Sequence, residues 1–139
     1  MKLEALVIAF ETLTPQTLPA LAALYAEDAR FRDPFNQVRG RAAITAIFRH
    51  MFTQVEAPRF VVTEQVAEGA QAFLVWEFHF LRGGHSLCIH GGSHLKFNAD
   101  GLVSEHRDYW DAAEELYARL PLIGPLMRWL QRQLSAGKG

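Results

Sequence analysis

The spacing of apolar residues changes once along this chain. Before Arg59 they recur at three and four, as on a helix; after it the period is two, as on a strand. Leu3, Leu6, Val7 and Phe10 mark a first amphipathic helix. Thr14-Pro15 reads as an N-cap followed by proline at the first helical position, opening a second helix that runs to about Ala26 and turns Leu18, Leu21 and Leu24 inward. A third helix spans Arg41 to Gln54, with Ile44, Ile47, Phe48 and Met51 on its apolar face and Pro58 beyond its end. Strands follow at Phe60 to Glu68, Gln71 to Leu81, Ser86 to Asn98 and Leu102 to Trp110, separated by turns at Gly69, Gly83-Gly84 and Asp100-Gly101. Gly91-Gly92 inside a strand suggests a bulge that bends the sheet. Helices followed by an antiparallel meander make an α+β domain with its helices on one face of the sheet. Ala112 to Leu134 returns to helical spacing, interrupted at Gly124-Pro125, as an extra C-terminal helix, and Ser135 to Gly139 reads as a frayed end.

The 139 residues amount to one domain with a single core, and an apolar half excludes disorder. A formal charge of -1 gives no footprint for nucleic acid or an acidic membrane. Cys88 is the sole cysteine, so neither a disulfide framework nor a cysteine-based zinc site is expected, and Cys88 reads as a small core residue. The apolar N-terminus carries Glu4 and lacks a cleavage pattern, so it reads as a helix rather than a signal peptide. No apolar run reaches the roughly 18 residues of a spanning helix, and a cytoplasmic protein is the expectation. No phosphate-cradling loop is present, so no nucleotide or other cofactor is expected.

The chemistry is concentrated between Leu24 and Ile44, LYAEDARFRDPFNQVRGRAAI. Tyr25 to Asp28 reads as the end of the second helix, Phe31-Arg32-Asp33 as a short strand, and Gly40 as the break before the third helix. Pro34 removes a backbone donor and pushes Asp33 into an extended conformation. A carboxylate fixed there among apolar neighbours is a candidate general base, because desolvation raises its pKa towards working pH. On the last strand, alternation turns His106, Asp108 and Trp110 to one side and Arg107 and Tyr109 to the other. On the long strand Leu74, Trp76, Phe78 and Phe80 share one face, and Phe73, Val75, Glu77 and His79 the opposite one. The candidate catalytic set is Asp33 with His106 and Asp108; Trp76, Phe78, Trp110, Tyr25 and Ser93 are the candidate ligand contacts. The competing expectation is that Asp33 caps a turn, His106 bonds the backbone, and Asp108 pairs with Arg32 or Arg41. His85, His90 and His94 lie along one strand without a spacing that makes three ligands converge, so no metal is expected.

The run from Leu24 through Asp33-Pro34 to Gly40 and Ala42-Ala43-Ile44 resembles the SnoaL-like, ketosteroid isomerase-like branch of the nuclear transport factor two-like superfamily. That resemblance implies a cone of helices around a curved antiparallel sheet, an inner pocket for a small apolar ligand, and a homodimer formed through the outer sheet face, where Glu77 and His79 would lie. It implies proton-transfer chemistry, an isomerisation or cyclisation, with Asp33 as base; a non-catalytic binding or dimerisation domain is the alternative. The ketosteroid isomerase oxyanion hole is a tyrosine and a protonated aspartate. Here those positions fall on Ala9 or Phe10 and on Ser93, so the resemblance does not extend to steroid isomerisation. An inward arginine, which limonene epoxide hydrolase-like relatives need between two acids, is not evident either. The C-terminal helix reads as a lid or dimer contact rather than a membrane-surface element.

Overall fold

The computed structural model describes residues 1–111. Three helices, α1 (Leu3–Glu11), α2 (Leu18–Ala22) and α3 (Arg41–Gln54), pack on a six-stranded sheet of β1 (Tyr25–Arg32), β2 (Gln37–Arg39), β3 (Glu56–Glu68), β4 (Gln71–Arg82), β5 (His85–Phe97) and β6 (Val103–Tyr109). The strand order is β2-β1-β6-β5-β4-β3. The meander β3 to β6 is antiparallel as expected, but β1 pairs with β6 in parallel, so the sheet is mixed. The expected C-terminal helix lies outside the described residues. Among the described residues, no helix is long and apolar enough to cross a membrane.

Helical and strand periods place the core where alternation put it. Leu6, Val7 and Phe10 of α1, Leu18 and Leu21 of α2, and Ile44 and Phe48 of α3 are buried against Leu74, Trp76, Phe80, Leu95 and Val103 of the sheet. Thr14 does cap a turn, its Oγ1 accepting the Thr17 N–H at 3.1 Å, yet regular helix begins only at Leu18.

The second helix also ends earlier than its spacing suggests. Tyr25 to Asp28 belong to β1, not to α2. Ala and Glu favour helix, but pairing against β6 decides the outcome: Tyr25 lies opposite Val103, and Arg30 to Arg32 lie opposite Glu105 to Arg107. The register slips between Tyr25 and Arg30, so part of this strand lacks ladder partners. Arg41 compensates by donating from both Nε and Nη2 to the Tyr25 carbonyl. Gly40, whose φ is +107°, makes the turn that brings Arg41 back, a backbone region that residues with a Cβ rarely adopt.

Gly91 and Gly92 do not form a bulge. β4 and β5 stay in register from Gln71 opposite Lys96 to Arg82 opposite His85. In the meander, irregularities fall instead between Glu56 and Arg59, between Val62 and Glu64, and between Lys96 and Phe97. The glycines make room for rings: a Cβ on Gly91 would lie 2.5 Å from Trp76 Cη2, and one on Gly92 2.6 Å from Phe73 Cε1. Trp76 is buried and bonded, whereas Phe73 is 38% exposed and can swing away. Gly91→Ala is therefore expected to cost about 1–3 kcal/mol in urea unfolding through overpacking, and Gly92→Ala distinctly less. Equal costs would mean that Trp76 is not held in place.

Candidate active site

The Asp33-Pro34-Phe35-Asn36 turn follows directly from β1. Asp33 closes it with its own side chain: Oδ1 accepts the N–H groups of Phe35 at 2.8 Å and Asn36 at 2.6 Å. The Asn36 side-chain amide reaches both carboxylate oxygens at 3.3 Å, and the Asp33 N–H donates to the Asn36 carbonyl at 2.9 Å. This is the Asx-turn chemistry of aspartate before proline. Asn36 is itself buried, so the carboxylate is held from three directions.

A chain of buried hydrogen bonds lies behind it. Trp76 Nε1 donates to Ser93 Oγ at 2.8 Å, and Ser93 Oγ donates to Asp108 Oδ1 at 2.5 Å. His106 Nε2 meets the same Oδ1 at 2.6 Å, and its Nδ1 meets the Tyr25 hydroxyl at 2.6 Å. A neutral His106 with its proton on Nε2 satisfies every member: the imidazole donates to the carboxylate, and Tyr25 donates to Nδ1. Phe10, Tyr25 and Phe31 enclose that ring, with centroids 5.9, 5.9 and 4.8 Å from it. Burial and the nearby Asp108 charge push the Tyr25 hydroxyl pKa up, which keeps it a neutral donor.

Asp33 and Asp108 both open onto one cavity of about 120 Å³. Its walls are almost wholly apolar, including Phe60, Trp76, Phe78, Phe80 and Trp110, with Ile47 and Met51 from α3. Desolvation in this setting, reinforced by the Asp108 charge, pushes the Asp33 carboxyl from 3.8 up to about 6 against the backbone and side-chain hydrogen bonds that oppose the shift. Among the described residues no arginine forms an ion pair with Asp33; Arg39 reaches Asp28, Arg30 reaches Glu105, and Arg41 is taken by the Tyr25 carbonyl. Asp108 Oδ2 and the Trp110 indole N–H make no hydrogen bond among the described residues. The site thus offers a basic carboxylate and a second carboxylate fixed by donors on one oxygen, beside the Trp110 ring in an apolar cavity.

Both expectations for Asp33 describe part of what is found: it caps a turn and it faces a pocket. Asp108 pairs with Ser93 and His106, not with Arg32 or Arg41. His106 bonds side chains rather than backbone, is 3% exposed, and does not line the main cavity; with Ser93 it borders a smaller recess beside it. Trp76, Phe78 and Trp110 do line the cavity. Tyr25 does not; it is 1% exposed behind His106, because it sits in a strand rather than at a helix end. Cys88 is not a core residue: it pairs across from His79 on the sheet's outer face. Asn36 was missed, although its position three residues after Asp33 in a proline turn is its signal. Gln54, Ile47 and Met51 were missed as wall residues because helical spacing marks an apolar face without saying whether it meets protein or space. His85, His90 and His94 do not converge; His94 bonds Gln71, and His90 approaches Glu77.

A family model for the SnoaL-like domain matches residues 8–106, which is most of the chain. The chain belongs to the SnoaL-like domain family. Solved structures agree on the fold of this SnoaL-like domain. An NTF2-like protein of Burkholderia pseudomallei is 21% identical, with 88% of this chain and 94% of that one covered and a TM-score of 0.72. An LEH-like epoxide hydrolase of M. tuberculosis is 18% identical, covering 91% and 92%, at a TM-score of 0.70. A hypothetical protein with a ketosteroid isomerase-like fold from Catenulispora acidiphila, solved with trimethylamine, is 16% identical, covering 83% and 88%, also at 0.70. No curated protein sequence matches the chain. At these identities the likeness to solved structures speaks for the fold alone.

Proposed function

We propose that this SnoaL-like domain is an enzyme that moves a proton on a small, mostly apolar cyclic or carbonyl compound, with Asp33 as the base. The observation that carries this reading is Asp33 itself: a carboxyl raised to about 6, facing an apolar cavity with no cation paired to it among the described residues. Asp33 takes a proton from the carbon beside a carbonyl, and the electron pair moves onto the carbonyl oxygen. The proton returns at a second carbon in an isomerisation; in a cyclisation the enolate carbon attacks a second carbonyl of the same molecule, whose π pair moves onto its oxygen and takes up the proton from Asp33. The Trp110 N–H is the donor offered to that oxygen. Asp108 raises the proton affinity of Asp33 through its charge, and His106 acts as a positioning residue, fixing Asp108 through Nε2. None of these steps calls for a metal or a nucleotide.

The epoxide hydrolase-like neighbour suggests a different chemistry, water attack on an epoxide. The Asp-Arg-Asp arrangement of that resemblance finds two acids here, but no arginine lines the cavity among the described residues. Exposed Val66, Phe73 and Tyr109 on the outer sheet face support a homodimer through that face.

The test is a panel of cyclic ketones, lactones, enones and epoxides assayed with the wild type and Asp33→Asn. Turnover of one member that collapses in the variant supports the reading. Tight binding without turnover, unchanged in Asp33→Asn, would make the protein a hydrophobic-ligand carrier.

A further inference from the structure

The sheet face turned away from the cavity carries four potential metal ligands on two neighbouring strands. Glu77 and His79 stand two residues apart on β4, and Cys88 and His90 two apart on β5. The register sets Glu77 opposite His90 and His79 opposite Cys88, so all four side chains leave the same face as corners of one square. Their ends converge. His79 Nε2 lies 3.0 Å from Glu77 Oε1, and His90 Nε2 3.8 Å from Glu77 Oε2. Cys88 Sγ lies 3.9 Å from His79 Nε2 and 4.0 Å from His90 Nε2. Ligand atoms of Glu77, His79 and Cys88 all fall within 4.8 Å of one another.

Those separations can be compared with what a tetrahedral ion needs. Zinc bonds of about 2.0–2.1 Å to nitrogen and oxygen and about 2.3 Å to sulfur place nitrogen and oxygen ligands about 3.3 Å apart and nitrogen and sulfur about 3.6 Å apart. The His79–Glu77 and His79–Cys88 edges lie about 0.3 Å from these values, whereas His90 stands about 0.4–0.5 Å too far from Cys88 and Glu77 and has to turn inward. The side chains are partly exposed, His90 by 50%, so they can close that gap by small rotations. The donor set is one thiolate, two imidazoles and one carboxylate. Hard ions such as magnesium favour all-oxygen sites, whereas zinc and cobalt accept this mixture in a tetrahedron.

We infer that Glu77, His79 and Cys88 form a zinc site on the outer sheet face, which the neighbouring His90 completes by turning its imidazole towards them. With His90 as the fourth ligand the shell is full, and the ion clips β4 to β5 rather than activating water. A single cysteine gives no zinc-binding pattern in the sequence, and the histidines of β5 do not converge along their own strand. The cross-strand register is what brings His79 and Glu77 into the set. This inference is independent of the role of Asp33.

Cobalt titration of the full, metal-stripped chain tests it, because cobalt reports its own geometry and ligands. The expected result is one equivalent bound, with the intense visible bands of a tetrahedral ion, a thiolate-to-cobalt charge-transfer band in the near ultraviolet, and displacement of both by zinc. Cys88→Ser should abolish the charge-transfer band. His90→Gln, at a half-exposed position, should weaken zinc binding at least about tenfold. A weak octahedral spectrum without charge transfer overturns the inference even if no variant folds. So does a zinc affinity that stays within twofold of wild type in His90→Gln.

Discussion

Asp33→Asn is expected to lower turnover by about 10²–10⁴-fold, the usual contribution of a positioned general base. The amide keeps the side chain's shape and can still accept hydrogen bonds from the Phe35 and Asn36 N–H groups, so the loss reads proton transfer rather than a collapsed turn. Wild-type activity should rise as pH climbs through about 6 and level off above it, since only the ionised carboxylate accepts a proton. Stability should move the other way. The folded pKa lies above the unfolded value of 3.8, so the native state holds this proton more tightly. That preference is fully present below about 4 and is lost as pH rises through about 6, leaving a charge whose burial costs roughly 1–2 kcal/mol after allowance for partial exposure. Asp33→Asn should accordingly be more stable than wild type in urea unfolding at pH 8 and no more stable at pH 4. A variant that is inactive and also destabilised at pH 8 would show a structural aspartate.

The second large effect falls on His106. His106→Ala removes a ring packed among Phe10, Tyr25 and Phe31 and strips a partner from two buried groups at once, the Tyr25 hydroxyl and Asp108 Oδ1. The cavity left by an aromatic side chain and the orphaned polar atoms together predict a loss of about 3–5 kcal/mol. That is a large part of the roughly 5–15 kcal/mol that holds a domain of this kind. Tyr25→Phe, which orphans only Nδ1, should cost about 1–3 kcal/mol. Urea unfolding of the two variants measures both. Equal and small losses would mean that the network is broken in solution.

Alternation along β4 and β6 was enough to place Trp76, Phe78, Asp108 and Trp110 on one side, because a strand's period leaves two choices and the aromatic residues decide between them. The proline after Asp33 likewise fixed the end of β1. Long-range pairing was not legible. Tyr25 to Asp28 is written in residues that favour helix, and only the parallel partner β6 holds it extended. For the same reason the helical spacing points Tyr25 at the pocket, whereas it stands behind His106. The two glycines of β5 carry a signal for close approach as much as for a bulge, and nothing local says that Trp76 and Phe73 lie across them. The outer cluster of Glu77, His79, Cys88 and His90 is invisible along either strand alone. It exists only in the register between them.

The measurement that bears most directly on the central claim is a carbon-detected titration of the Asp33 side-chain carboxyl in the full chain, from pH 3 to pH 9. The account predicts a midpoint at about 6. A midpoint at or below the ordinary aspartate value of about 3.9 would contradict it, since a carboxylate held that low is too weak a base to take a proton from carbon.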